Sequence, residues 1–265
     1  GVEVHAVNDV SYYVDKGEVV AIVGESGCGK SVSQMAVMQL IPSPPGKIIG
    51  GEIWFQGENL LRYRPSSKEI EAVRGSRISM IFQEPMTSLN PVFTIGQQFV
   101  DIIRKHKRIG KREAWRIGTE ALETVGIPDP AIRMKNYPFE MSGGMRQRAL
   151  IALSVACDSQ LIIADEPTTA LDVTIQAQVM ELLMQIKQKQ NTSLIIVTHN
   201  LGLVSRYADR IYVMYAGAIV ESGRTEDILA HPYHPYTKGL LRAVPRLEDD
   251  KDAALVPIEG SPLSL

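Results

Sequence analysis

The chain has 265 residues, of which 45% are apolar and 22% are charged. These proportions are those of an ordinary globular protein and exclude a collagenous, low-complexity or wholly disordered chain. The 28 Lys and Arg residues and 30 Asp and Glu residues leave a net charge of −2, which argues against nucleic acid or an anionic membrane surface as a partner for the whole molecule. The length suits one large domain or a core that carries a smaller lobe.

The two cysteines, Cys28 and Cys157, are too few for a disulfide framework and lack the spacing of a metal site, so we predict a reducing compartment. The longest strongly apolar stretch, from Ala149 to Cys157, is far shorter than the roughly 18 residues that a membrane-spanning helix requires. The sequence therefore predicts no membrane span. Because it starts at Gly1 without Met and has no signal-peptide pattern, we expect its native start to be missing.

The first predicted elements are half-exposed strands that flank the core. The residues before Asp15 and those from Gly50 to Phe55 alternate between apolar and polar types, a pattern typical of strands with one solvent-exposed face. We therefore predict a small antiparallel β-sheet beside the core.

Five short apolar runs predict the strands of the core itself. They are continuous rather than alternating and rich in Val and Ile, which is typical of strands buried on both faces of a parallel sheet. Helical patterns separate several runs, and Asp172 is placed to cap a helix that extends through Lys189. The predicted fold class is therefore α/β with a mostly parallel sheet. The runs are Val19–Val23, Ile78–Phe82, Leu161–Ala164, Leu194–Thr198 and Ile211–Tyr215.

A helical insertion separates two of these runs. From Glu84 to about Ser159 the strand pattern is absent, and apolar residues at helical spacing predict two amphipathic helices, around Phe99 and around Ile117. After His231 the chain becomes proline-rich and then acidic, so we expect a tail that lies on the surface or leads elsewhere. The predicted parts are a core of residues 1–83 and 160–230, a helical subdomain of residues 84–159, and a C-terminal extension of residues 231–265.

The first motif that carries chemistry follows the first apolar run. The sequence GESGCGKS fits the phosphate-binding pattern GxxxxGK(S/T) and lies between a predicted strand and a helical segment, as that loop requires. Glycines let successive backbone N–H groups surround a polyphosphate, and the following helix adds its positive end. Lys30 would contact the β- and γ-phosphates, and the Ser31 hydroxyl would bind Mg²⁺. The alternative is a glycine-rich turn with an exposed lysine. The loop comprises Gly24, Glu25, Ser26, Gly27, Cys28, Gly29, Lys30 and Ser31, with Cys28 interpreted as unreactive.

Two carboxylates, Asp165 and Glu166, end the third run. In a parallel sheet this end lies at the same edge as the phosphate loop, so Asp165 could hold Mg²⁺ through water and Glu166 could deprotonate the attacking water. The alternative is a helix cap before Pro167. Gln83 and His199 follow or end two further runs, where Gln83 could contact Mg²⁺ or water, whereas a lone histidine is often purely structural.

A second glycine motif, Ser142-Gly143-Gly144, precedes an apolar helical stretch. The serine hydroxyl can cap the helix while the glycines leave backbone N–H groups accessible, which would make this helix start a second anion site. The alternative is an ordinary capped helix, with Arg146 and Arg148 on a solvated face.

Together these motifs resemble those of the ATP-binding subunits of ABC transporters, over nearly the whole chain. Six motifs in one order are far more specific than a phosphate loop alone. They are GESGCGKS at 24–31, Gln83, MSGGMRQR at 141–148, LIIADEP at 161–167, ALD at 170–172 and His199. A narrower likeness is to the D-type subunits of oligopeptide and dipeptide importers and their nickel and glutathione relatives. It depends on QEPMTSLNP at 83–91, the Met-containing SGGM sequence and HPYHPYT at 231–237.

The resemblance implies a RecA-like P-loop NTPase core and a dimer of two ATPase subunits that encloses two ATP molecules, each with Mg²⁺. Each ATP would contact the phosphate loop of one subunit and Ser142, Gly143 and Gly144 of the other. The resemblance also implies an importer, with two membrane permease subunits that contact the helical subdomain and a substrate-binding protein that acts indirectly. The ATPase partner would be a homologous subunit, with an F-type subunit favoured over a second copy of this chain. The location would be the cytoplasmic face of the membrane, and nucleic acid would not be a partner.

Individual roles are likewise implied by the resemblance. Gln83 would sense nucleotide and join the core to the helical subdomain. Asp172 would act across the dimer interface, and His199 would contact the γ-phosphate. The residues around Glu84 to Pro91 would receive the coupling helix of a membrane subunit.

The sequence departs from the family pattern at several positions. Met141 and Met145 replace the usual Leu and Gln of the signature, and Val32 replaces a hydroxyl residue, so that only its backbone N–H remains for the α-phosphate. We expect the aromatic residue that stacks on adenine to be missing with the native start, because Tyr12 and Tyr13 lie too close to the loop. D-type subunits often continue into a Cys-rich tail that can hold an iron–sulfur cluster, and no cysteine follows Cys157 in this sequence.

Two other classes of protein compete with a transport ATPase. A soluble ABC ATPase that acts on DNA or ribosomes would carry a long coiled coil or two cassettes, and the sequence shows no heptads and one cassette. A P-loop kinase would have no use for the SGG sequence. The transported solute cannot be identified from this chain.

Overall fold

A computed structural model describes residues 3–83, 88–168 and 172–243. Residues 84–87, Ala170 and Leu171 of the predicted motifs, and the acidic and proline-containing end of the chain from residue 244, lie outside the described residues. The described residues form two compact units, one from 3–62 with 195–243 and the other from those between 63 and 194.

Short strands and helices follow one another along the described parts of the chain. In chain order, the strands are β1 (Val19–Val23), β2 (Trp54–Phe55), β3 (Glu58–Asn59), β4 (Ile78–Ile81), β5 (Leu161–Asp165), β6 (Ser193–Thr198), β7 (Arg210–Tyr215) and β8 (Ala218–Arg224). The helices are α1 (Lys30–Val37), α2 (Lys68–Val73), α3 (Ile95–Lys107), α4 (Lys111–Thr124), α5 (Pro130–Arg133), α6 (Gly143–Val155), α7 (Val173–Gln190), α8 (Leu201–Val204), α9 (Thr225–Ala230) and α10 (Pro235–Arg242). Two short 3-10 turns cover Leu60–Arg62 and Pro138–Glu140.

The first unit is organised around strand β1, which lies between β6 and β7. Its five residues are all buried, as the continuous apolar run predicts. Strands β1 and β7 pair in parallel, with Val20 opposite Arg210 and Val23 opposite Val213. Strand β8 is the edge strand of the sheet and pairs antiparallel with β7. The predicted parallel strands are therefore confirmed in this unit.

The second unit contains a parallel strand pair and most of the helices. Strands β4 and β5 are parallel, with Ile78 opposite Leu161 and Ile81 opposite Ala164, so both strands end at the same edge. The two predicted amphipathic helices are α3 and α4, which pack on each other through fully buried residues such as Phe99. Helix α7 begins after Asp172, whose side chain accepts a hydrogen bond from the Ile175 N–H group, so the predicted cap is confirmed.

The predicted strand before Asp15 is wrong, because none of the described residues in that segment forms a strand. The hydroxyl of Tyr212 accepts a hydrogen bond from the Tyr13 N–H at 3.2 Å and donates one to the Tyr13 carbonyl at 3.1 Å, so a side chain satisfies the main-chain groups that a strand ladder would use. The small antiparallel sheet does form, from β2 and β3 alone.

The expectation of a tail after His231 is also wrong for the described residues up to Ala243. They form helix α10, in which Tyr236, Thr237 and Leu240 are buried. This helix packs against α8 within the first unit. Tyr236 of HPYHPYT and Leu240 after it thus belong to the core of that unit.

The cap of α3 gives a test of local stability. Thr94 and Gln97 form a capping box in which the Thr94 hydroxyl accepts from the Gln97 N–H group. Thr94→Ala should lower the free energy of unfolding by about 1 kcal/mol because a helix N–H group loses its partner. Urea unfolding followed by circular dichroism measures the change.

Thr124→Ala is the matched control. The Thr124 hydroxyl bonds to the Glu120 carbonyl inside α4, which already has a main-chain role, and Ala is the better helix former. This variant should unfold at the wild-type urea concentration or slightly above it. Equal losses in both variants would contradict the assignment of Thr94 as a cap.

Candidate active site

The phosphate loop connects β1 to α1, and two of its glycines lie against other main-chain segments. A Cβ atom on Gly24 would lie 2.1 Å from the Met214 carbonyl oxygen, and one on Gly29 would lie 2.2 Å from the Ala6 carbonyl oxygen. Gly29 also has φ +101°, in the left-handed region. The loop therefore packs closely against the main chain at Met214 and at Ala6, and only glycine fits at positions 24 and 29.

Lys30 is the first residue of α1 and its side chain returns to the loop. It is only 4% exposed, and its Nζ atom donates to the carbonyl oxygens of Gly24 at 2.8 Å and Glu25 at 2.7 Å. The interpretation of this loop as a turn with an exposed lysine is therefore wrong. The carbonyl dipoles solvate the ammonium without neutralising it, which leaves its charge available to a phosphate.

Cys28 lies beside this ammonium, with 3.8 Å between Sγ and Lys30 Nζ. Burial raises the pKa of the Cys28 thiol in spite of the nearby positive charge. The side chain is therefore a neutral thiol at physiological pH, in agreement with its interpretation as an unreactive packing residue.

Two hydrogen bonds from distant parts of the first unit hold the loop at Glu25 and at Cys28. The Glu25 N–H group donates to the Tyr236 hydroxyl at 2.8 Å, and the Cys28 carbonyl accepts from the Gly217 N–H group at 2.9 Å. Between these contacts, Ser26 and Gly27 are exposed. The sequence did not predict Tyr236 as a site residue, and its only signal there is membership of HPYHPYT.

The acidic strand end belongs to the second unit. Asp165 ends β5 and is 5% exposed, and Glu166 follows at 9%. Glu166 has φ +44°, a left-handed conformation that costs about 1–3 kcal/mol in a residue other than glycine. The Gln147 side chain donates a hydrogen bond to the Pro167 carbonyl at 2.8 Å and so helps to hold the turn that follows the strand. Such strain is typical of functional sites.

Gln83 meets Glu166 at this edge, as the parallel pairing of β4 and β5 predicts. Gln83 Nε2 donates to Glu166 Oε2 at 3.1 Å. This contact orients the Glu166 carboxylate at the end of the strand. The structure therefore brings together two of the predicted site residues, Gln83 and Glu166, beside Asp165.

The SGG sequence forms the start of α6 in the second unit. Ser142 caps the helix through a 3.3 Å bond from the Met145 N–H group, and Gly143 and Gly144 are its first two residues. Ser142 and Gly143 are exposed, and a Cβ atom on Gly144 would approach no atom closer than Ile175 Cγ2 at 3.8 Å. The first N–H groups of a 13-residue helix thus lie at an accessible surface, as an anion site requires.

The two arginines that follow do not form a solvated face. Arg146 donates to the carbonyls of Pro138 and Met141, and Arg148 donates to the Val125 carbonyl and to Gln178. Both side chains therefore tie the start of α6 to its neighbours in the second unit.

His199 and Asp172 are both exposed at element ends. His199 follows β6 in the first unit, and Asp172 caps α7 in the second. Oxygen donors of the kind that Mg²⁺ prefers are the Ser31 hydroxyl in the first unit and, in the second unit, the Asp165 carboxylate and the Gln83 amide oxygen. Among the described residues, no helix has both the length and the apolar content needed to cross a bilayer.

Comparisons with known proteins agree with this site. The sequence profile described as ABC transporter matches residues 7–169, and that described as Oligopeptide/dipeptide transporter, C-terminal region, matches residues 220–265. The chain is 52% identical, over all of its length and 74% of the relative's, to the oligopeptide transport ATP-binding protein OppD of Bacillus subtilis. It is 50% identical, over 93% of its length and 75% of the relative's, to the dipeptide transport ATP-binding protein DppD of Escherichia coli.

Two solved structures share the fold. The ATP-binding cassette MJ0796, in a dimeric post-hydrolysis state bound to ADP and Pi, aligns with a TM-score of 0.72 at 24% identity, over 83% of this chain and 90% of that one. The cbiO1 protein from Clostridium perfringens, part of the cbiONQ complex, aligns with a TM-score of 0.71 at 26% identity, over 85% and 84% of the two chains. The predicted α/β P-loop NTPase fold is confirmed.

The glycines of the loop allow a test of its packing. Gly29→Ala should lower the free energy of unfolding by about 2 kcal/mol or more, because the new Cβ meets a carbonyl oxygen that belongs to the main chain. Gly27→Ala should cost only about 1 kcal/mol, since no atom lies within 4 Å and only the left-handed φ of +82° is unfavourable. Urea unfolding of both variants gives the comparison, and equal losses would contradict the packing described for Gly29.

Proposed function

Because this chain belongs to the ABC transporter family of ATP-binding proteins, we propose that it binds and hydrolyses ATP to power the uptake of oligopeptides, dipeptides or a related solute through separate membrane subunits. The observation that carries the proposal is the phosphate loop with its buried, carbonyl-solvated Lys30. The relatives named for oligopeptide and dipeptide transport support the choice of a peptide-like solute. The division into a core of residues 1–83 and 160–230, a helical subdomain of residues 84–159 and a C-terminal extension of residues 231–265 is part of the proposal, with helix α10 of that extension packed on the first unit.

The phosphate loop binds the nucleotide in this proposal. The loop from Gly24 to Val32 surrounds the phosphates with the backbone N–H groups of the residues after Glu25, and Lys30 moves from the loop carbonyls to the β- and γ-phosphate oxygens. Ser31, Asp165 and Gln83 are the residues proposed to hold Mg²⁺, which would supply positive charge to the phosphates when bound. His199 adds a polar contact to the γ-phosphate.

Glu166 is the proposed general base. Its carboxylate is nearly buried, the hydrogen bond from Gln83 orients it, and it would accept a proton from the attacking water. The left-handed turn at Glu166 ends the strand and turns this carboxylate away from the direction that a regular strand would give it. Gln83 is therefore placed to couple the position of the base to the segment that follows it.

A second ATPase subunit completes the site in this proposal. The exposed start of α6, with Ser142, Gly143 and Gly144, addresses the γ-phosphate of an ATP bound to the partner, and Asp172 acts across the interface. We propose an F-type homologue as the partner, two permease subunits that contact the helical subdomain, and a substrate-binding protein that acts through them. The subunit then works at the cytoplasmic face of the membrane, without nucleic acid.

Lys30→Ala should weaken ATP binding at least about 100-fold, because two hydrogen bonds to a charged group contribute about 3–6 kcal/mol together. Isothermal titration with ATP and Mg²⁺ measures the affinity. Lys16→Ala, which removes an exposed lysine of the same unit, is the control and should bind ATP like the wild type. Wild-type affinity in Lys30→Ala would refute the assignment of the phosphate loop.

Glu166→Gln should lower the rate of ATP hydrolysis at least about 100-fold while ATP still binds, because the amide cannot accept the proton of the attacking water. With the partner subunit present, the variant should remain as an ATP-bound dimer during gel filtration. Glu123→Gln, at an exposed site on α4, serves as the control. Unchanged steady-state turnover in Glu166→Gln would exclude its role as the base.

A further inference from the structure

The first residue after Gly24, Glu25, has its peptide groups held on both sides. Its carbonyl oxygen accepts from Lys30 Nζ at 2.7 Å, and its N–H group donates to the Tyr236 hydroxyl at 2.8 Å. The first contact comes from the loop's own lysine, whereas the second comes from a residue 211 positions away in the sequence. The start of the phosphate loop is thus tied directly to helix α10.

Tyr236 is held in place by packing on one side and by main-chain contacts on the other. Its ring is 7% exposed and lies 4.5 Å, centroid to centroid, from the ring of Tyr215 on β7. Pro235 occupies the first turn of α10, and the His234 side chain accepts from the Tyr236 N–H group at 3.2 Å. These contacts fix both the ring and the direction of the hydroxyl.

The start of α10 is in turn attached to β8 by one carboxylate. Glu221 accepts hydrogen bonds from the N–H groups of Tyr233 at 2.7 Å and His234 at 3.0 Å. The profile for the C-terminal region of oligopeptide and dipeptide transporters begins at residue 220, next to this carboxylate. Every step from Glu221 to the Tyr236 hydroxyl therefore lies within that region.

The contact with Tyr236 is compatible with a bound phosphate in a way that the contact with Lys30 is not. A nucleotide would draw the Lys30 ammonium from the Glu25 carbonyl, because phosphate oxygens carry charge and carbonyls do not. The Tyr236 hydroxyl accepts a hydrogen bond from the Glu25 N–H group. Because the hydroxyl is neutral, a bound phosphate does not attract it away from Glu25 as it attracts the ammonium. When Lys30 turns to phosphate, Tyr236 remains as the support for Glu25.

We propose that Tyr236 is a positioning residue of the phosphate loop, and that the segment from Glu221 to helix α10 serves nucleotide binding by holding the Glu25 N–H group. The inference rests on the proposed ATPase function. Hydrogen bonds hold the loop at Glu25, through Tyr236, and at Cys28, through Gly217. The two residues between them, Ser26 and Gly27, are exposed. If one of these hydrogen bonds is lost, the loop is less ordered before the nucleotide binds. The nucleotide must then order it, and this entropic cost weakens binding.

Tyr236→Phe tests the proposal because it removes the hydroxyl and keeps the ring that packs on Tyr215. The dissociation constant for ATP, measured by isothermal titration with Mg²⁺, should rise about 3- to 10-fold, the effect of one lost hydrogen bond. KM for ATP should rise by a similar factor, with kcat at saturating ATP within about twofold of the wild type. The Glu25 amide should exchange with deuterium faster, whereas core amides of β1 should not.

Tyr233→Phe is the matched control. It makes the same chemical change two residues before Pro235, at a side chain that is 85% exposed. ATP affinity and the exchange rate at Glu25 should equal those of the wild type. A similar loss of affinity in both phenylalanine variants would overturn the specific role of Tyr236.

Glu221→Gln provides a second route to the same result, and it decides the matter if Tyr236→Phe does not fold. The change leaves the loop untouched but weakens the two hydrogen bonds that hold the start of α10, so ATP affinity should again fall. Wild-type affinity and wild-type exchange at Glu25 in a folded variant of either residue would overturn the inference while leaving the ATPase function intact. A wild-type chain that binds no ATP would instead refute the proposed function.

Discussion

The buried ammonium of Lys30 is the interaction on which the chemistry of the first unit depends. A charge that is 4% exposed needs hydrogen-bond partners, and the loop supplies them as two carbonyl oxygens from its own first residues. Those carbonyls point inward only because the loop turns back on itself between β1 and α1. The close approaches of Gly24 and Gly29 to main-chain carbonyls permit that turn. The two glycines and the buried cation are therefore parts of the same turn.

In the second unit the buried charged groups are carboxylates, those of Asp165 and Glu166, instead of an ammonium. Asp165 ends a regular strand, but Glu166 takes a left-handed conformation that is unfavourable without glycine. The buried Gln147 contact with the next carbonyl and the Gln83 contact with the Glu166 carboxylate offset part of that cost. A glycine at this position would be easier to fold and could not act as a base. The strain at Glu166 therefore agrees with its proposed role as the base.

Most of the fold could be predicted from the sequence because buried parallel strands have a strong local pattern. The runs from Val19 and from Leu161 begin and end within one residue of the observed strands. The segment before Asp15 could not be predicted, since its main-chain groups pair with the hydroxyl of Tyr212 and no alternation of residue types encodes such a contact. Within the candidate site, the phosphate loop and the carboxylates have local motifs. The Tyr236 contact has none, because it joins residues that the fold alone brings together.

The loop is held by the neutral phenol of Tyr236, and this suits the negatively charged nucleotide that the loop is proposed to bind. A carboxylate at the position of the Tyr236 hydroxyl could accept from the Glu25 N–H group, but its negative charge would repel a polyphosphate and attract Lys30. An ammonium would repel Lys30 and could not accept the bond. Burial raises the pKa of the Tyr236 hydroxyl, so it stays neutral and accepts a hydrogen bond without altering the field around the lysine. A neutral acceptor on a packed ring is therefore the arrangement that holds the loop and leaves its positive charge for the nucleotide.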